Sequence, residues 1–261
     1  MDYKISLIVS TLGHREKELK RLFDSLVLQN YKNFEVVIVI QDNYDDVENL
    51  CKTYKNEFSY NLIFSERKGL SIARNLAMDN ACGDIFILSD DDCWYPDNAM
   101  KDINNEFKSN KNIDVLTTKI YDPITDCPYK NYAETPNKID KAIKLLSKSS
   151  IEIAFRKDVG VKFDEDFGLG AKYVSGEEND FLVRVLKLKK NIYYKPITTV
   201  YHEKKKTSET VKQLEAKGAF YCKNFGFFIS NLVLLRDLII KKQNNYKGFW
   251  NGYKDYKKHN K

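Results

Sequence analysis

The sequence contains little of what a cross-linked secreted protein needs. Its five cysteines show no CxxC or histidine-paired spacing and lie at scattered positions: Cys51, Cys82, Cys93, Cys127 and Cys222. An odd, scattered set indicates reduced thiols and therefore a cytosolic compartment. Glycine and proline number only 11 and 5 among 261 residues, which argues against long flexible linkers.

Long apolar runs are also missing. The first run, Ile5–Val9, is too short for a signal peptide and lacks a cleavage site. No run of roughly 18 uninterrupted apolar residues occurs, so we expect no transmembrane helix and a cytoplasmic protein. With 43% hydrophobic residues, the chain can still bury a proper core as one domain or two fused lobes.

The formal net charge is +6, and lysine clusters concentrate in the C-terminal third of the chain. The clusters are Lys187–Lys190, Lys204–Lys206, Lys241–Lys242 and Lys254–Lys258. They are equally consistent with a solvated basic surface and with contact to an anionic membrane face or a phosphate-bearing acceptor. No nucleic-acid-binding motif accompanies the charge, so we expect no nucleic-acid partner.

The first ninety residues alternate strand and helix patterns. Short apolar runs predict four buried strands: Ile5–Val9, Phe34–Ile40, Leu62–Phe64 and Ile85–Leu88. The patterns between them predict three helices: Glu16–Asn30, Val47–Phe58 and Ser71–Asn80, the last with Ser71 as its N-cap. This alternation predicts an α/β fold with a doubly wound, mostly parallel sheet.

Polar residues follow three of these predicted strands. Ser10 and Thr11 follow the first strand, Asp42 follows the second, and Asp90–Asp92 follow the fourth. Ligands of doubly wound sheets bind at the carboxyl ends of the strands. We therefore expect these side chains to lie at one site.

The triplet Asp90–Asp92 carries three adjacent negative charges. Because the carboxylates repel one another, the triplet needs a compensating cation, for which a hard divalent ion with oxygen ligands is the natural candidate. A basic, glycine-containing loop, Arg67–Gly69, and Arg74 lie just upstream. Positive charge beside a metal-binding acidic edge predicts a pyrophosphate site. A nucleotide-linked donor fits both the basic loop and the acidic edge. The alternative, a loop that only caps the next helix, needs one carboxylate and not three.

Beyond Pro96 the pattern is less regular. Residues 121 to about 137 read as an irregular loop, and the predicted strands are Asp114–Ile120, Ile151–Phe155, Ile192–Tyr194 and Thr198–Tyr201. The tail from Thr207 on is predicted to be helical, and its segment Phe225–Ile240 is strongly apolar. This segment predicts either a core helix that packs on the sheet or an interfacial patch that docks on a membrane.

Several motifs, taken together between Ile5 and about His202, resemble the family 2 nucleotide-sugar glycosyltransferases, which have the Rossmann-like GT-A fold. Gly69–Asn75 matches the family pattern G-x-S-x-A-R-N, and the Asp triplet stands at its D-x-D position. Gly176–Asp180 is similar to G-E-D-x-E/D, and Val200–His202 is similar to V-x-H. The resemblance implies a mixed, mostly parallel sheet with a C-terminal helical extension.

The same resemblance implies a division of the chain. Residues 1–205 would form the GT-A domain, with the nucleotide-sugar-binding half at about 1–96 and the acceptor-binding half at 97–205. Residues 206–261 would form the helical extension.

For the nucleotide-sugar, the resemblance implies contacts at Ser10, Thr11 and Asp42, with Asp42 accepting from the uracil N3–H. The family pattern V-V-D-D-G-S stands here as V-I-Q-D-N-Y, so Gln41 replaces the first Asp of that motif. The pattern T-Y-N stands as Thr11-Leu12-Gly13, without the aromatic residue that usually stacks on the base. Lys68 and Arg74 would neutralise the phosphates.

For the metal, the resemblance implies ligands among Asp91, Asp92 and His202. When the family motif is aligned through Trp94 and Pro96, the principal metal ligand falls on Asp91. Asp90 and Asp92 would then contact the ribose, a metal-bound water or the side chain that ligates the metal. An imidazole ligand favours Mn²⁺ over Mg²⁺. Taken alone, His202 would be interpreted as a structural or surface histidine.

For the chemistry, the resemblance makes Glu178 the base that takes a proton from the acceptor hydroxyl as it attacks the anomeric carbon. Asp180 would orient the acceptor. Glutamates at a helix N-terminus are also favoured by the helix dipole, which is the structural alternative for these acids.

The predicted protein is therefore a metal-dependent, inverting transferase that moves a sugar from a UDP-sugar to a hydroxyl of a glycan or lipid-linked acceptor in cell-surface polysaccharide synthesis. A nucleotidyltransferase is one alternative, but its usual glycine-rich, basic loop is missing after Ile5–Val9. A non-catalytic module that binds calcium or sugar is the other, but it has no need of Glu178 and His202.

Overall fold

A computed structural model describes residues 2–204, 209–240 and 246–259. Its strands are β1 (Ile5–Thr11), β2 (Phe34–Ile40), β3 (Ser59–Phe64), β4 (Ile85–Asp90), β5 (Val115–Asp122), β6 (Cys127–Pro128), β7 (Asn137–Ile139), β8 (Ile153–Arg156) and β9 (Ile192–Tyr201). Its α-helices are α1 (Glu16–Val27), α2 (Tyr44–Thr53), α3 (Leu70–Asn80), α4 (Ala99–Ser109), α5 (Glu177–Lys187), α6 (Val211–Ile240) and α7 (Tyr246–His259).

The strands form one mixed sheet in the order β3-β2-β1-β4-β8-β5-β9-β7, and β6 pairs with β5. The strands β3, β2, β1 and β4 are parallel to one another, and β9 is parallel to β5. Only β8 reverses direction between them, since it pairs antiparallel with both β4 and β5. The predicted doubly wound, mostly parallel sheet with a C-terminal helical extension is confirmed.

Both faces of the sheet are buried, as a parallel sheet requires. One face packs against α1, α2 and α4, with Phe23 and Met100 fully buried in that layer. The other face packs against α3, α5, α6 and α7, through residues such as Ala77, Phe181 and Phe220. The carboxyl ends of β1, β2 and β4 lie at one edge of this sheet, and Ser10, Thr11, Asp42 and Asp90–Asp92 lie there.

Two local expectations were wrong. The two short strands expected within 192–201 form a single strand, β9, whose pairing with β5 shifts register between Thr117 and Lys119. This irregularity accommodates Pro196, which has no N–H to donate to a neighbouring strand. In addition, α3 begins at Leu70 with Gly69 as its N-cap, while the Ser71 hydroxyl donates to the Phe167 carbonyl at 2.6 Å.

The C-terminal extension is a pair of helices, and α6 bends at Gly226, where φ is 72° and ψ is −171°. A Cβ on Gly218 of α6 would lie 1.8 Å from the Phe249 carbonyl oxygen of α7. The backbones of the two helices are therefore in direct contact at this position. The proposed boundary near 205/206 and the lysines Lys205, Lys206, Lys241 and Lys242 lie outside the described residues.

The apolar segment Phe225–Ile240 does not pack as a core helix along its length. Phe228 is 84% exposed and Leu232 67% exposed, whereas Val233 and Leu234 on the other side are buried. By length and composition alone, residues 211–239 could cross a membrane, whereas the sequence led us to expect no such helix. Of its most apolar stretch of 18 residues, 44% is buried inside the protein. A partly buried helix of this kind is weak evidence for a membrane span.

Candidate active site

Each carboxylate of the acidic triplet has a different partner in the structure. Asp90, at the end of β4, accepts a hydrogen bond from Arg74 at 3.1 Å. Asp91 accepts from the Thr11 hydroxyl at 2.7 Å, and Asp92 lies 3.1 Å from Nε2 of His202. The triplet therefore joins three parts of the fold, namely α3, the end of β1 and the end of β9.

Arg15 completes this cluster, and it was missed in the sequence. Its Nη1 lies 3.1 Å from Oδ1 of Asp91 and 2.7 Å from Oδ2 of Asp92, and half of the side chain is exposed. The guanidinium neutralises two crowded carboxylates that burial would otherwise make costly to ionise. Its position in the loop after β1, at the carboxyl end of a parallel strand, was the available signal.

The side chains at this edge suit a divalent cation whose coordination sphere is completed by the substrate. In the described part of the chain, no three His, Cys, Asp or Glu side chains converge into a ready-made cage. However, the Asp92–His202 pair and the nearby Asp91 offer carboxylate oxygen and imidazole nitrogen, and a guanidinium already occupies the cation's electrostatic position. Mg²⁺ and Mn²⁺ commonly use one or two carboxylates together with substrate phosphates, so these residues fit such an ion.

His202 is held in a defined orientation. Its Nδ1 lies 2.7 Å from the Glu203 carbonyl, and the ring of Tyr129 packs edge-on against it. A backbone contact of this kind fixes the imidazole and leaves Nε2 pointing at Asp92. Burial lowers the pKa of His202, but the hydrogen bond and the charge of Asp92 outweigh it, so the pKa is raised overall.

Asp42 lies at the end of β2, where a base-binding residue was predicted. Its carboxylate is half exposed and pairs with Lys68 at 2.5 Å, and this hydrogen bond lowers the pKa of Asp42. Lys68 therefore neutralises Asp42 here and does not lie among the acidic triplet. Gln41, the departure from the family pattern, donates to the carbonyls of Arg67 and Gly69 at 2.7 and 3.1 Å, so it fixes the basic loop.

Arg74 was expected to neutralise phosphates, but the structure buries it. Only 1% of its side chain is exposed, and it pairs with Asp90 at 3.1 Å and with Glu177 at 3.2 Å. Its Nε finds no hydrogen-bond partner among the residues that the structure describes. In this position Arg74 links the end of β4 to the first turn of α5.

Ser10 and Thr11 lie at the end of β1, as predicted. Thr11 is engaged twice, since its hydroxyl donates to Asp91 and accepts from the Gly13 N–H at 2.9 Å. The Ser10 hydroxyl is buried and has no hydrogen-bond partner in the described part of the chain. Because a buried hydroxyl without a partner is costly, Ser10 is available to a ligand at this edge.

The acidic run at the start of α5 separates into three environments. Glu177 is buried and paired with Arg74. Asp180 is fully buried and pairs with Arg184 and Lys223, both at 2.7 Å, and it accepts from Asn224 at 3.0 Å. Its carboxylate therefore faces α6, which is a structural position and does not favour the predicted role in orienting an acceptor.

Glu178 differs from both of these neighbours. It is half buried, no cation pairs with it in the described residues, and its carboxylate accepts a hydrogen bond from the Asn179 amide at 3.2 Å. Burial, followed by the charge of Glu177, raises the pKa of Glu178 to about 8. A carboxylate with a raised pKa beside this acidic edge is suited to accept a proton near neutral pH.

Comparison with known sequences gives matches to a glycosyltransferase family and to individual proteins. A family model, glycosyl transferase family 2, matches residues 6–159, which is more than half of the chain. An uncharacterised glycosyltransferase of Rickettsia typhi is 26% identical over 222 residues, covering 78% of this chain and 66% of that protein. The minor teichoic acid biosynthesis protein GgaB of Bacillus subtilis is 26% identical over 125 residues, covering 46% of this chain and 14% of that protein.

Among solved structures, the S. aureus TarS fragment 1–349 in complex with UDP-GlcNAc matches with a TM-score of 0.71. The two are 18% identical, and the match covers 97% of this chain and 80% of that one. At this identity the likeness shows the fold alone, and it confirms the GT-A fold.

Proposed function

This chain belongs to glycosyl transferase family 2, and on that basis we propose that it moves a sugar from a UDP-sugar to an acceptor hydroxyl, with inversion at the anomeric carbon. The observation that carries the proposal is the position of Arg74. By pairing with both Asp90 and Glu177, it holds the first turn of α5 against the acidic end of β4. Glu178 therefore lies beside the edge where the donor binds.

In this mechanism the chain's own residues bind and orient the donor. Asp42 accepts a hydrogen bond from the uracil N3–H, and Ser10, Thr11 and Asp90 contact the remainder of the nucleoside and its phosphates. Arg15 neutralises the carboxylates of Asp91 and Asp92 in the free protein. Glu178 removes the proton of the acceptor hydroxyl as that oxygen attacks the sugar on the face opposite the departing UDP.

A divalent cation, Mn²⁺ in preference to Mg²⁺, would be held by Asp91, Asp92 and His202. When bound it supplies Lewis-acid stabilisation to the leaving diphosphate. Asp92 is the better placed of the two carboxylates to share the ion with His202, because their side chains are already 3.1 Å apart.

The match to TarS supports the choice of uridine, because that protein was solved in complex with UDP-GlcNAc. The proposal is tested by measuring UDP release from a panel of UDP-sugars and GDP-sugars with Mn²⁺, Mg²⁺ or EDTA. Metal-dependent release from one UDP-sugar supports it. Release from GDP-sugars alone, or binding of neither UDP nor GDP with Mn²⁺ in calorimetry, contradicts the assignment of uridine.

The acceptor is proposed to be a glycan or lipid-linked chain at the cytoplasmic membrane face, in cell-surface polysaccharide synthesis. The support is the exposed apolar side of α6, which includes Phe228, Leu232 and Ile239. Basic residues accompany it on α7, at Lys247, Lys254, Lys257 and Lys258. An exposed apolar face and exposed lysines on the adjoining helix are the two features by which an amphipathic segment binds an anionic bilayer surface.

Vesicle flotation tests this docking. Phosphatidylglycerol vesicles should bind the protein, and the double variant Phe228→Asp/Leu232→Asp should lose binding while keeping its donor hydrolysis. Glu57→Gln, in an exposed turn before β3, serves as the control. Absence of binding, or a concentration-dependent dimer through this face in light scattering, would remove the membrane from the proposal.

A further inference from the structure

A cavity of about 340 Å³ lies beside strands β7 and β9, apart from the acidic triplet. The charged side chains that line it are all lysines, namely Lys130, Lys144 and Lys148. Two tyrosines, Tyr132 and Tyr194, form one wall, with their rings stacked 6.4 Å apart and parallel to within 1°. No motif in the sequence marks this cavity, because its residues come from four separate segments.

The lining of the cavity carries an excess of positive charge. Lys130 is fully engaged, since it donates to the Ser147 carbonyl, the Ser149 hydroxyl and Glu152 at 2.6, 2.8 and 3.1 Å. The buried carboxylate of Glu152 is thereby matched by one lysine. The other two lysines add charge that no carboxylate lining the cavity balances.

Lys148 is the informative member of the set. Its side chain is half buried, its ammonium makes no salt bridge or hydrogen bond within the described ranges, and the ammonium lies 4.4 Å from the centre of the Tyr194 ring. Burial lowers the pKa of Lys148, with the charge of Glu152 opposing and that of Lys130 adding to the shift. A half-buried ammonium that lies against the faces of two tyrosine rings is a ready partner for an anion.

The cavity adjoins the candidate base through Lys130. The charges of Arg74 and Lys130 oppose the effect of burial and of Glu177 on the pKa of Glu178, so Lys130 lies within electrostatic reach of that carboxyl. Lys130 also binds Glu152, which immediately precedes β8, the neighbour of β4 in the sheet. Lys130, which lines the cavity, is therefore the residue that connects the cavity with the surroundings of Glu178.

We propose that the cavity lined by Lys144, Lys148, Tyr132 and Tyr194 binds a phosphate group of the acceptor, so that the acceptor is a phosphate-bearing molecule. That the bound molecule is the acceptor rests on the proposed function, whereas the existence of an anion site rests only on the cavity. A phosphate oxygen would accept hydrogen bonds from both ammonium groups, and the tyrosine wall would cover the adjoining apolar part of the molecule.

The test is calorimetric binding of dimethyl phosphate and methyl phosphate to the full chain, with neutral trimethyl phosphate for comparison. We expect the anions to bind and the neutral ester not to bind. Lys148→Met should weaken binding of the anions about tenfold, as the loss of one charge-assisted hydrogen bond predicts. Lys101→Met, an exposed lysine on α4, should bind as the parent protein does.

Lys144→Met is the second variant, because Lys144 is exposed and we expect its replacement to leave the fold intact. Equal binding of the anions by the parent protein and both cavity variants, or no binding by the parent protein, overturns the proposal. Loss of binding to phosphatidylglycerol vesicles in Lys148→Met, with unchanged binding of the soluble phosphates, also overturns it and assigns the site to a lipid headgroup.

Hydrolysis of the donor, measured without any acceptor, distinguishes a failure of the anion site from a failure of the proposed transferase reaction. It should be the same in Lys148→Met as in the parent protein. Anion binding that is lost in Lys148→Met, in a protein that hydrolyses no nucleotide-sugar and binds no UDP, would uphold the cavity and reject the proposed transferase reaction.

Discussion

The Nε2 atom of His202 lies 3.1 Å from Oδ1 of Asp92, across 110 positions of sequence. The contact joins the end of β9 to the turn after β4, on either side of the reversed strand β8. Two potential metal ligands are thus brought together by the topology of the sheet and not by a local motif.

Removal of His202 should weaken the binding of Mn²⁺ in the presence of UDP. We expect His202→Ala to lower the affinity about tenfold or more, since even loss of a ligand's hydrogen-bond partner costs about 10–100-fold. Titration of Mn²⁺ by electron paramagnetic resonance measures it. His259→Ala, on the exposed last turn of α7, is the control. An affinity unchanged by His202→Ala would exclude the imidazole from the metal site.

Arg15 should compete with a divalent ion in the free protein, because its guanidinium contacts both Asp91 and Asp92. Arg15→Ala should therefore bind Mn²⁺ more tightly than the parent protein when no nucleotide is present. The gain should be about fivefold, since a half-exposed ion pair is worth roughly 1 kcal/mol. Lys17→Ala, an exposed neighbour on α1, should show no gain. Weaker binding of Mn²⁺ by Arg15→Ala would show that Arg15 supports the site.

The pH dependence of kcat/KM should report the ionisation of Glu178. A base must be deprotonated to act, and the pKa of Glu178 is raised to about 8, so activity is low in acid and rises as pH passes through that value. Well below the pKa, kcat/KM should rise about tenfold for each pH unit. The free enzyme's groups control this parameter, so the structure without ligands is the relevant one.

Glu178→Gln should abolish turnover at every pH while UDP still binds with Mn²⁺, because the amide cannot accept the proton. Glu57→Gln, on the exposed turn before β3, should keep the full pH profile. A profile for Glu178→Gln parallel to that of the parent protein would move the base to another residue.

The sheet was predictable from sequence because its signals are local. Continuous apolar runs such as Phe34–Ile40 mark strands buried on both faces, and the polar residues that follow them mark the ligand edge. The exposed side of α6 was not predictable, since an apolar run such as Phe225–Ile240 does not reveal how much of it finds a partner.

Individual site residues divide in the same way. The positions of Asp42 and the acidic triplet at strand ends could be predicted from local sequence, whereas the pairing of Lys68 with Asp42 and the burial of Arg74 depend on tertiary contacts. Glu177, Glu178 and Asp180 look alike in sequence, within one helical turn. Only the neighbours supplied by α3 and α6 distinguish a buried pair, a half-buried carboxylate and a structural ion cluster.

Asp180 provides the sharpest test of that distinction. Asp180→Asn removes a fully buried charge that Arg184 and Lys223 share, so the free energy of unfolding should fall by about 3 kcal/mol. The turnover of the enzyme that stays folded should change little, since this carboxylate faces α6. Chemical denaturation and kcat measured on the same preparation separate the two effects.

Asp79→Asn is the matched control, because Asp79 pairs with Lys162 in an exposed salt bridge, which is worth about 0.5 kcal/mol or less. We expect the control to keep both its stability and its activity. A stable Asp180→Asn protein with turnover lost would instead return Asp180 to the reaction. The contact of α5 with α6 would then have to position the acceptor as well as hold the extension in place.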